Sequence, residues 1–352
     1  MSDLDRRKIE EFLDRFVSIA AGATTIGLLA LADRSGLSEY LSAHPDGTTS
    51  QIADGAGLEE RYVREIMSGL AAAGVVDYDA ETMQFHLPPE HALFIADETS
   101  PYFMGGYLDM IPGGMAHIDE IADAVRHGGG VLFDQFGERM IMGIERGNAP
   151  SQRVFLTGRW LAAVPGLIER LESGIRVADV GCGTGTAALE MARAFPTSSV
   201  IGFDASEESI EIARSNAGAM ANLAFQQVAA EKFPIGDGYG LITTFDVVHD
   251  LVDPLAALER IREALDDEGV YLMMEPNLSS RLEDNLDPRG ALFYGVSTLH
   301  CMTQSLAQGG RGLGAAWGRQ NAADLAKEAG FTSFEPLERI TNRFSAFYLL
   351  KA

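Results

Sequence analysis

Val177-Ala178-Asp179-Val180-Gly181-Cys182-Gly183-Thr184-Gly185 joins an apolar run to a helical one. Val177 to Val180 read as the end of a buried strand, and residues 186–195 space their apolar side chains as a helix does. Between them, glycines at three alternate positions let the backbone pass close to a ligand and turn N–H groups outward at a helix N-terminus. Taken alone, Gly-x-Gly-x-Gly also fits a dinucleotide loop. Asp204 sharpens the reading. It closes the next strand, Val200-Ile201-Gly202-Phe203-Asp204, nineteen residues beyond Gly185, where one carboxylate can accept two ribose hydroxyls.

Outward from that loop, short apolar runs alternate with helical stretches. Strands are expected at 175–180, 199–203, 223–228, 241–245, 270–275, 332–336 and 345–350, and helices at 186–195, 207–217, 254–265 and 320–329. The helix at 254 opens with Asp253 as cap and Pro254 as first helical residue, and it aligns Leu255, Leu258, Ile261 and Leu265. Such alternation implies an α/β fold, a parallel sheet with helices on both faces.

The sequence from Asp179 to Gly185, then Gly202-Phe203-Asp204, then Thr244-Phe245-Asp246-Val247-Val248-His249-Asp250, resembles class I S-adenosylmethionine-dependent methyltransferases over roughly residues 170–352. A nicotinamide dehydrogenase would place the loop near its start as Gly-x-Gly-x-x-Gly; here residue 186 is Thr and about half the chain precedes the loop. The resemblance implies a Rossmann-like seven-stranded sheet with its last strand antiparallel, and S-adenosylmethionine as cofactor. It sets Gly181, Gly183 and Gly185 around the methionine portion and Asp204 at the ribose, with Asp179, Cys182, Ala205 and Phe245 also in the cofactor site. One departure stands out. In that family the third strand usually ends in an Asp that meets the adenine amino group, and here Ala229 holds the position, leaving Glu231 or the backbone near Ala230 to substitute.

The segment Phe245 to Asp253 resembles the His-Asp-Trp-x-x-Asp stretch of winged-helix small-molecule O-methyltransferases, with Leu251 in place of the Trp. By that resemblance His249 is the general base and Glu275, at the end of the fifth strand, is the acid that orients it. The residues alone leave a second reading open, in which His249 braces the strand end. As a base it would take the proton of a phenol of pKa about 10 while the methyl group transfers.

The N-terminal part reads as a helical region over 10–43 broken at Gly36, a short helix opened by a Thr48/Gln51 capping box, a helix from Leu58 to Ala73, and a ribbon of Val75–Tyr78 with Met83–His86. That order is a winged helix, and the expected domains are 1–95 for it, 96–170 for a helical connector and 171–352 for cofactor binding. Arg61 and Arg64 are outnumbered by Glu59, Glu60 and Glu65 on the second helix, so dimerisation or substrate covering is favoured over DNA binding. The resemblance implies a homodimer through this domain. Tyr102, Phe133 and His300 are candidate substrate-lining residues. The alternatives are a DNA-binding regulator whose methyltransferase fold senses S-adenosylmethionine or a metabolite, and an enzyme using the cofactor only electrostatically.

A net charge of -24 over 352 residues opposes encounter with nucleic acid or an anionic membrane. Two cysteines suit a reducing cytoplasm, and His300-Cys301 lies outside any metal-ligand spacing, so no metal is expected. Phe16 to Ala32 carries no charge but follows acidic residues and contains Ser, Thr and Gly. It is read as a buried helix rather than a signal peptide or membrane span. The Gly309–Gly314 stretch follows no strand and reads as a lid or a tight loop.

Overall fold

The structure, a computed structural model, describes residues 4–352. They fall into two compact units that meet in sequence between Pro112 and Gly113.

In the first unit, α1 (Arg6–Arg34) starts where the Asp5 carboxylate accepts the Arg7 N–H and ends before Gly36, whose φ of +77° turns the chain into α2 (Leu37–Ala43). A two-residue strand β1 (Asp46–Gly47) precedes α3 (Thr49–Ala56), whose start has the reciprocal Thr48/Gln51 capping box. Then α4 (Glu60–Ala72) buries Val63, Ile66, Met67 and Leu70, the face expected from their spacing. The hairpin β2 (Asp77–Asp79) and β3 (Gln84–His86) is extended by β1 into a three-stranded sheet, and the short β1 had no sequence signal. After it comes α5 (Pro89–Ile95), and α6 (Tyr107–Met115) contains the boundary between the units. The stretch 96–170, read as one connector, is divided between the two units.

The Phe16–Ala32 stretch departs from expectation. Leu29, Ala30 and Ala32 are buried with the winged-helix core, but Phe16, Val17 and Ile19 are exposed, as are Phe12 and Leu13 before them. By length and composition α1 could also cross a membrane. An apolar face this long is uncovered within the chain, and sequence periodicity cannot tell a helix buried in its own fold from one that is not.

The second unit begins with α7 (Ile118–His127), α8 (Glu138–Phe155) and α9 (Leu167–Ser173), and continues as a doubly wound sheet: β4 (Arg176–Val180), α10 (Thr186–Ala194), β5 (Ser199–Asp204), α11 (Glu207–Ala217), β6 (Leu223–Gln227), β7 (Tyr239–Phe245), α12 (Pro254–Ala264) and β8 (Leu265–Pro276). Three further helices, α13 (Pro288–Val296), α14 (Met302–Ala307) and α15 (Gly318–Glu328), precede β9 (Ser333–Pro336) and β10 (Ser345–Lys351). Strand order is β6-β5-β4-β7-β8-β10-β9, with β10 antiparallel to both its neighbours, as the resemblance implies. Period-two alternation sends Val177, Leu241, Leu272 and Phe347 to one face, against Trp160, Leu171 and Met191. It sends Ala178, Ile242, Tyr271 and Tyr348 to the other, against Leu258, Ile261 and Leu325. The chain runs outward from β4 through β5 and β6, then crosses back to β7 and β8. The reversal opens a crevice at the C-terminal ends of β4 and β7, where open α/β sheets take ligands.

Candidate functional site

The register Val180↔Phe203, Asp179↔Thr243 and Phe245↔Met274 aligns the strand ends, so residues 179–185, 204–205, 228–231, 245–250 and 275 all lie along the C-terminal edge of five adjacent parallel strands. The glycine loop is tied tightly to β5. Gly181 N–H and Cys182 N–H both donate to the Phe203 carbonyl at 2.7 and 3.0 Å, Gly183 N–H donates to Asp204 Oδ2 at 2.9 Å, and Gly185 N–H to the Cys182 carbonyl at 2.9 Å. Gly181 is irreplaceable on two counts, because its φ is +72° and a Cβ would sit 2.5 Å from Val247. At Gly183 a Cβ would meet open space.

This differs from the expectation of outward-turned N–H groups. Four of them are spent inside the chain, so the loop is no phosphate cradle. What faces the crevice is acidic. Asp179 Oδ1 accepts the Thr243 hydroxyl at 2.7 Å, while Oδ2 is buried with no partner among the described residues. Burial outweighs that hydroxyl and pushes the Asp179 carboxyl up to about 7. Asp204 is also raised by burial, although it accepts the N–H groups of Gly183 and Ser206. An orphaned buried acceptor beside a second carboxylate fits the cationic amino-acid end of S-adenosylmethionine and repels a pyrophosphate.

Of the other residues expected here, Cys182 is half-buried in the loop and Ala205 is exposed just past β5. Phe245 is 7% exposed and packs on Trp160. Ala229 and Ala230 follow β6, where the Ala229 carbonyl accepts the Lys232 N–H, and Glu231 pairs with Lys232 at 3.4 Å.

Sequence reading missed Glu145. From α8, its carboxylate accepts the hydroxyls of Thr184 and of Thr186, the latter at 2.5 Å, and Arg153 lies 3.6 Å away. It thereby ties the loop to a helix that the sequence marks only as irregular.

The second cluster is built on Glu275, 1% exposed at the end of β8. Its Oε1 accepts the Val248 N–H at 2.9 Å, and its Oε2 accepts both His249 Nδ1–H at 2.7 Å and Trp317 Nε1–H at 3.0 Å. That arrangement selects the Nδ1-protonated imidazole and leaves Nε2 on the far side. Nε2 faces Asp250 Oδ1 at 3.4 Å, an oxygen with no hydrogen bond among the described residues. The buried Asp250 oxygen thus turns to the imidazole. Burial alone would depress the His249 pKa, but Asp250 and Glu275 together raise it well above the usual imidazole value.

Asp246, at the tip of β7, adds a third carboxyl. Its φ of +57° is rare for a residue with a Cβ, and burial pushes its carboxyl up to about 7. No one-dimensional signal marks that backbone. The Gly309–Gly314 stretch is a tight loop. Arg311 N–H donates to the Val252 carbonyl and Gly314 N–H to the His249 carbonyl, which straps it to the turn that follows β7. Although no metal-ligand spacing exists in sequence, the fold brings the Cys301 thiol, an imidazole nitrogen of His249 and a carboxylate oxygen of Asp250 within 4.8 Å of one another.

The substrate-lining candidates divide. His300 is 3% exposed and Phe133 half-buried, their ring centroids 5.8 Å apart in the second unit. Tyr102 belongs to the first unit, is exposed and packs on Phe94.

Comparison with known proteins agrees with the fold. Residues 171–328 match the family profile described as a methyltransferase domain, and residues 22–97 match a Rv2258c-like winged helix-turn-helix domain. The ubiquinone biosynthesis O-methyltransferase of Dinoroseobacter shibae is 33% identical over 101 residues, 28% of this chain and 40% of that protein. The chain thus spans less than half the length of the curated relatives it matches. Among solved structures, the mitomycin 7-O-methyltransferase MmcR aligns with a TM-score of 0.71 at 19% identity, covering 99% of both chains. Human N-acetylserotonin methyltransferase, solved in complex with SAM, aligns with a TM-score of 0.68 at 20% identity, covering 100% of this chain and 99% of its own. Likeness at such identities establishes a shared fold.

Proposed function

Because the chain joins a methyltransferase domain to a Rv2258c-like winged-helix domain, we propose that it transfers a methyl group from S-adenosylmethionine to a hydroxyl of a small molecule, with His249 as general base. The observation that carries this reading is the Glu275–His249 pair at 2.7 Å, at the C-terminal end of the sheet beside the acidic glycine loop.

The sulfonium of the cofactor supplies an already activated methyl group, so the protein's task is alignment and proton removal. Asp179 and Asp204 would hold the cationic amino-acid end and the ribose, and Phe245 would close the apolar side. Glu275 fixes the His249 tautomer through Nδ1, and Nε2 takes the hydroxyl proton as the oxygen attacks. Asp250 and Glu275 stabilise the resulting imidazolium. Asp250 and Glu275 also set negative charge beside His249, which favours a neutral hydroxyl over a carboxylate as methyl acceptor.

In the winged-helix domain, Arg61 pairs with Glu65 and Arg64 with Glu60, each at 2.6 Å. Cations neutralised within their own helix leave little for a phosphate backbone, so the domain serves dimerisation through the exposed face of α1 rather than DNA binding.

The test is calorimetric titration with S-adenosylhomocysteine and with NAD, followed by transfer of labelled methyl to a panel of phenols. Binding of the first ligand alone, and at least a 100-fold fall in kcat on His249→Ala, is the expected result. NAD binding or unchanged turnover in the variant overturns it.

A further inference from the structure

His300 is buried with neither ring nitrogen hydrogen-bonded among the described residues. Buried polar groups without a partner are exceptions that ask for an explanation, and a missing ligand is one. Three features bear on what that ligand is.

The first is the wall around the ring. Phe136 meets His300 edge-on, with centroids 4.9 Å apart and planes at 76°, and Phe133 lies 5.8 Å away at 52°. Both rings come from one short turn, Phe133–Phe136, which is held hard against α14. Val131 N–H donates to Thr303 Oγ1 at 3.1 Å, and a Cβ on Gly130 would lie 1.9 Å from the Thr303 carbonyl oxygen. The aromatic wall and the imidazole are therefore one rigid assembly. A second feature is position, since the next residue, Cys301, is the one whose Sγ reaches the His249–Asp250 pair. Asp250 and His249 also lie close enough to act electrostatically on the His300 ring itself. The third is charge. Burial holds the ring neutral, with a pKa below the ordinary value, so it offers one N–H donor and one bare nitrogen.

We propose that His300 is a specificity-determining residue that hydrogen-bonds a second, uncharged polar group of an aromatic acceptor, whose reacting hydroxyl faces His249 and whose ring lies against Phe133 and Phe136. The inference rests on the hydroxyl-methylation reading and narrows it. The substrate class becomes a phenol with a neighbouring hydroxyl or carbonyl, as in a catechol or an ortho-acyl phenol. Since the reacting hydroxyl goes to His249, only a substrate with a second polar group gives His300 a partner, and a charged neighbour would meet an apolar wall.

The experiment uses binding, so that it stands apart from turnover. The full-length protein saturated with S-adenosylhomocysteine is titrated calorimetrically with catechol and with phenol. Catechol is expected to bind about 10-fold tighter, the worth of one buried hydrogen bond. In His300→Leu that preference falls to near one while S-adenosylhomocysteine affinity is unchanged. Because the leucine variant could fold poorly, the wild-type protein with 15N-labelled histidines is also titrated. The His300 ring nitrogens are expected to shift with catechol and to stay still with phenol.

Equal affinity for the two probes, no binding of either, or an intact preference in His300→Leu would each overturn the proposal. Tight catechol binding with no methyl transfer would overturn the base mechanism and leave this inference standing.

Discussion

Glu275→Gln is nearly isosteric and changes one atom of a carboxylate that accepts three N–H groups. The amide oxygen can keep the Val248 N–H, but the new NH2 then points at His249 Nδ1 and at Trp317 Nε1–H. Two donors cannot face a donor. The imidazole must move its proton to Nε2 so that Nδ1 can accept from the amide, and Nε2 then donates where it should take a proton. Trp317 loses its acceptor in a buried site. Losing the buried charge partner and stranding the indole N–H costs about 3 kcal/mol of stability, and the wrong tautomer costs about 100- to 10,000-fold in kcat.

The same variant has a pH signature. In the wild type the carboxylates raise the His249 pKa, so the stability they add is complete below the unfolded histidine value of about 6.5 and disappears as pH rises through the higher folded value. The neutral imidazole needed for proton removal accumulates over that same upper range, and kcat/KM should climb with pH above about 6.5. Glu275→Gln removes one of the two carboxylates, so the inflection moves down while the plateau collapses. Single-turnover transfer of labelled methyl across pH 6 to 9, with S-adenosylhomocysteine affinity as a folding control, measures both. A variant within about threefold of wild type at every pH would refute the assignment of Glu275 as orienting acid, since even a weak base contribution exceeds that.

Further outcomes are expected. Asp179 titrates near 7 in the free protein, so S-adenosylhomocysteine should bind more tightly as pH rises from 6 to 8, and Asp179→Asn should flatten that dependence in calorimetry. The apoprotein has the opposite tendency, because a carboxyl raised by burial stabilises the fold below its unfolded pKa and loses that stability as pH passes 7. Ala229→Asp should tighten S-adenosylhomocysteine binding about fivefold, one exposed-edge hydrogen bond to the adenine amino group, as read by calorimetry. Glu145→Gln leaves the Thr184 and Thr186 hydroxyls with a weaker acceptor and should cost about 10-fold in the same affinity. Replacing Phe12 and Phe16 by Asp should convert a dimer to a monomer in sedimentation, because those side chains are exposed in the single chain.

Much of this protein is written locally. The alternation of apolar runs and helices placed all seven strands of the main sheet, because strand and helix periods depend on neighbours a few residues apart. Capping signals at Thr48, Gln51, Asp253 and Pro254 are local for the same reason, and each is present in the fold. The glycine loop, Asp204, His249 and Glu275 were readable because the chain brings them to strand ends, and strand ends are what periodicity locates. Other features depend on which segments meet. Glu145 reaches the loop across about forty residues, Trp317 reaches Glu275 across forty-two, and Cys301 approaches His249 from a helix inserted after β8. The spending of the loop N–H groups on Phe203 and Asp204 follows from the pairing of β4 with β5, and it leaves an acidic crevice where the glycine spacing suggested outward-turned N–H groups. Composition suggested that Phe16 to Ala32 would be buried. Burial is a property of packing partners, and within this chain only the end of α1 finds them.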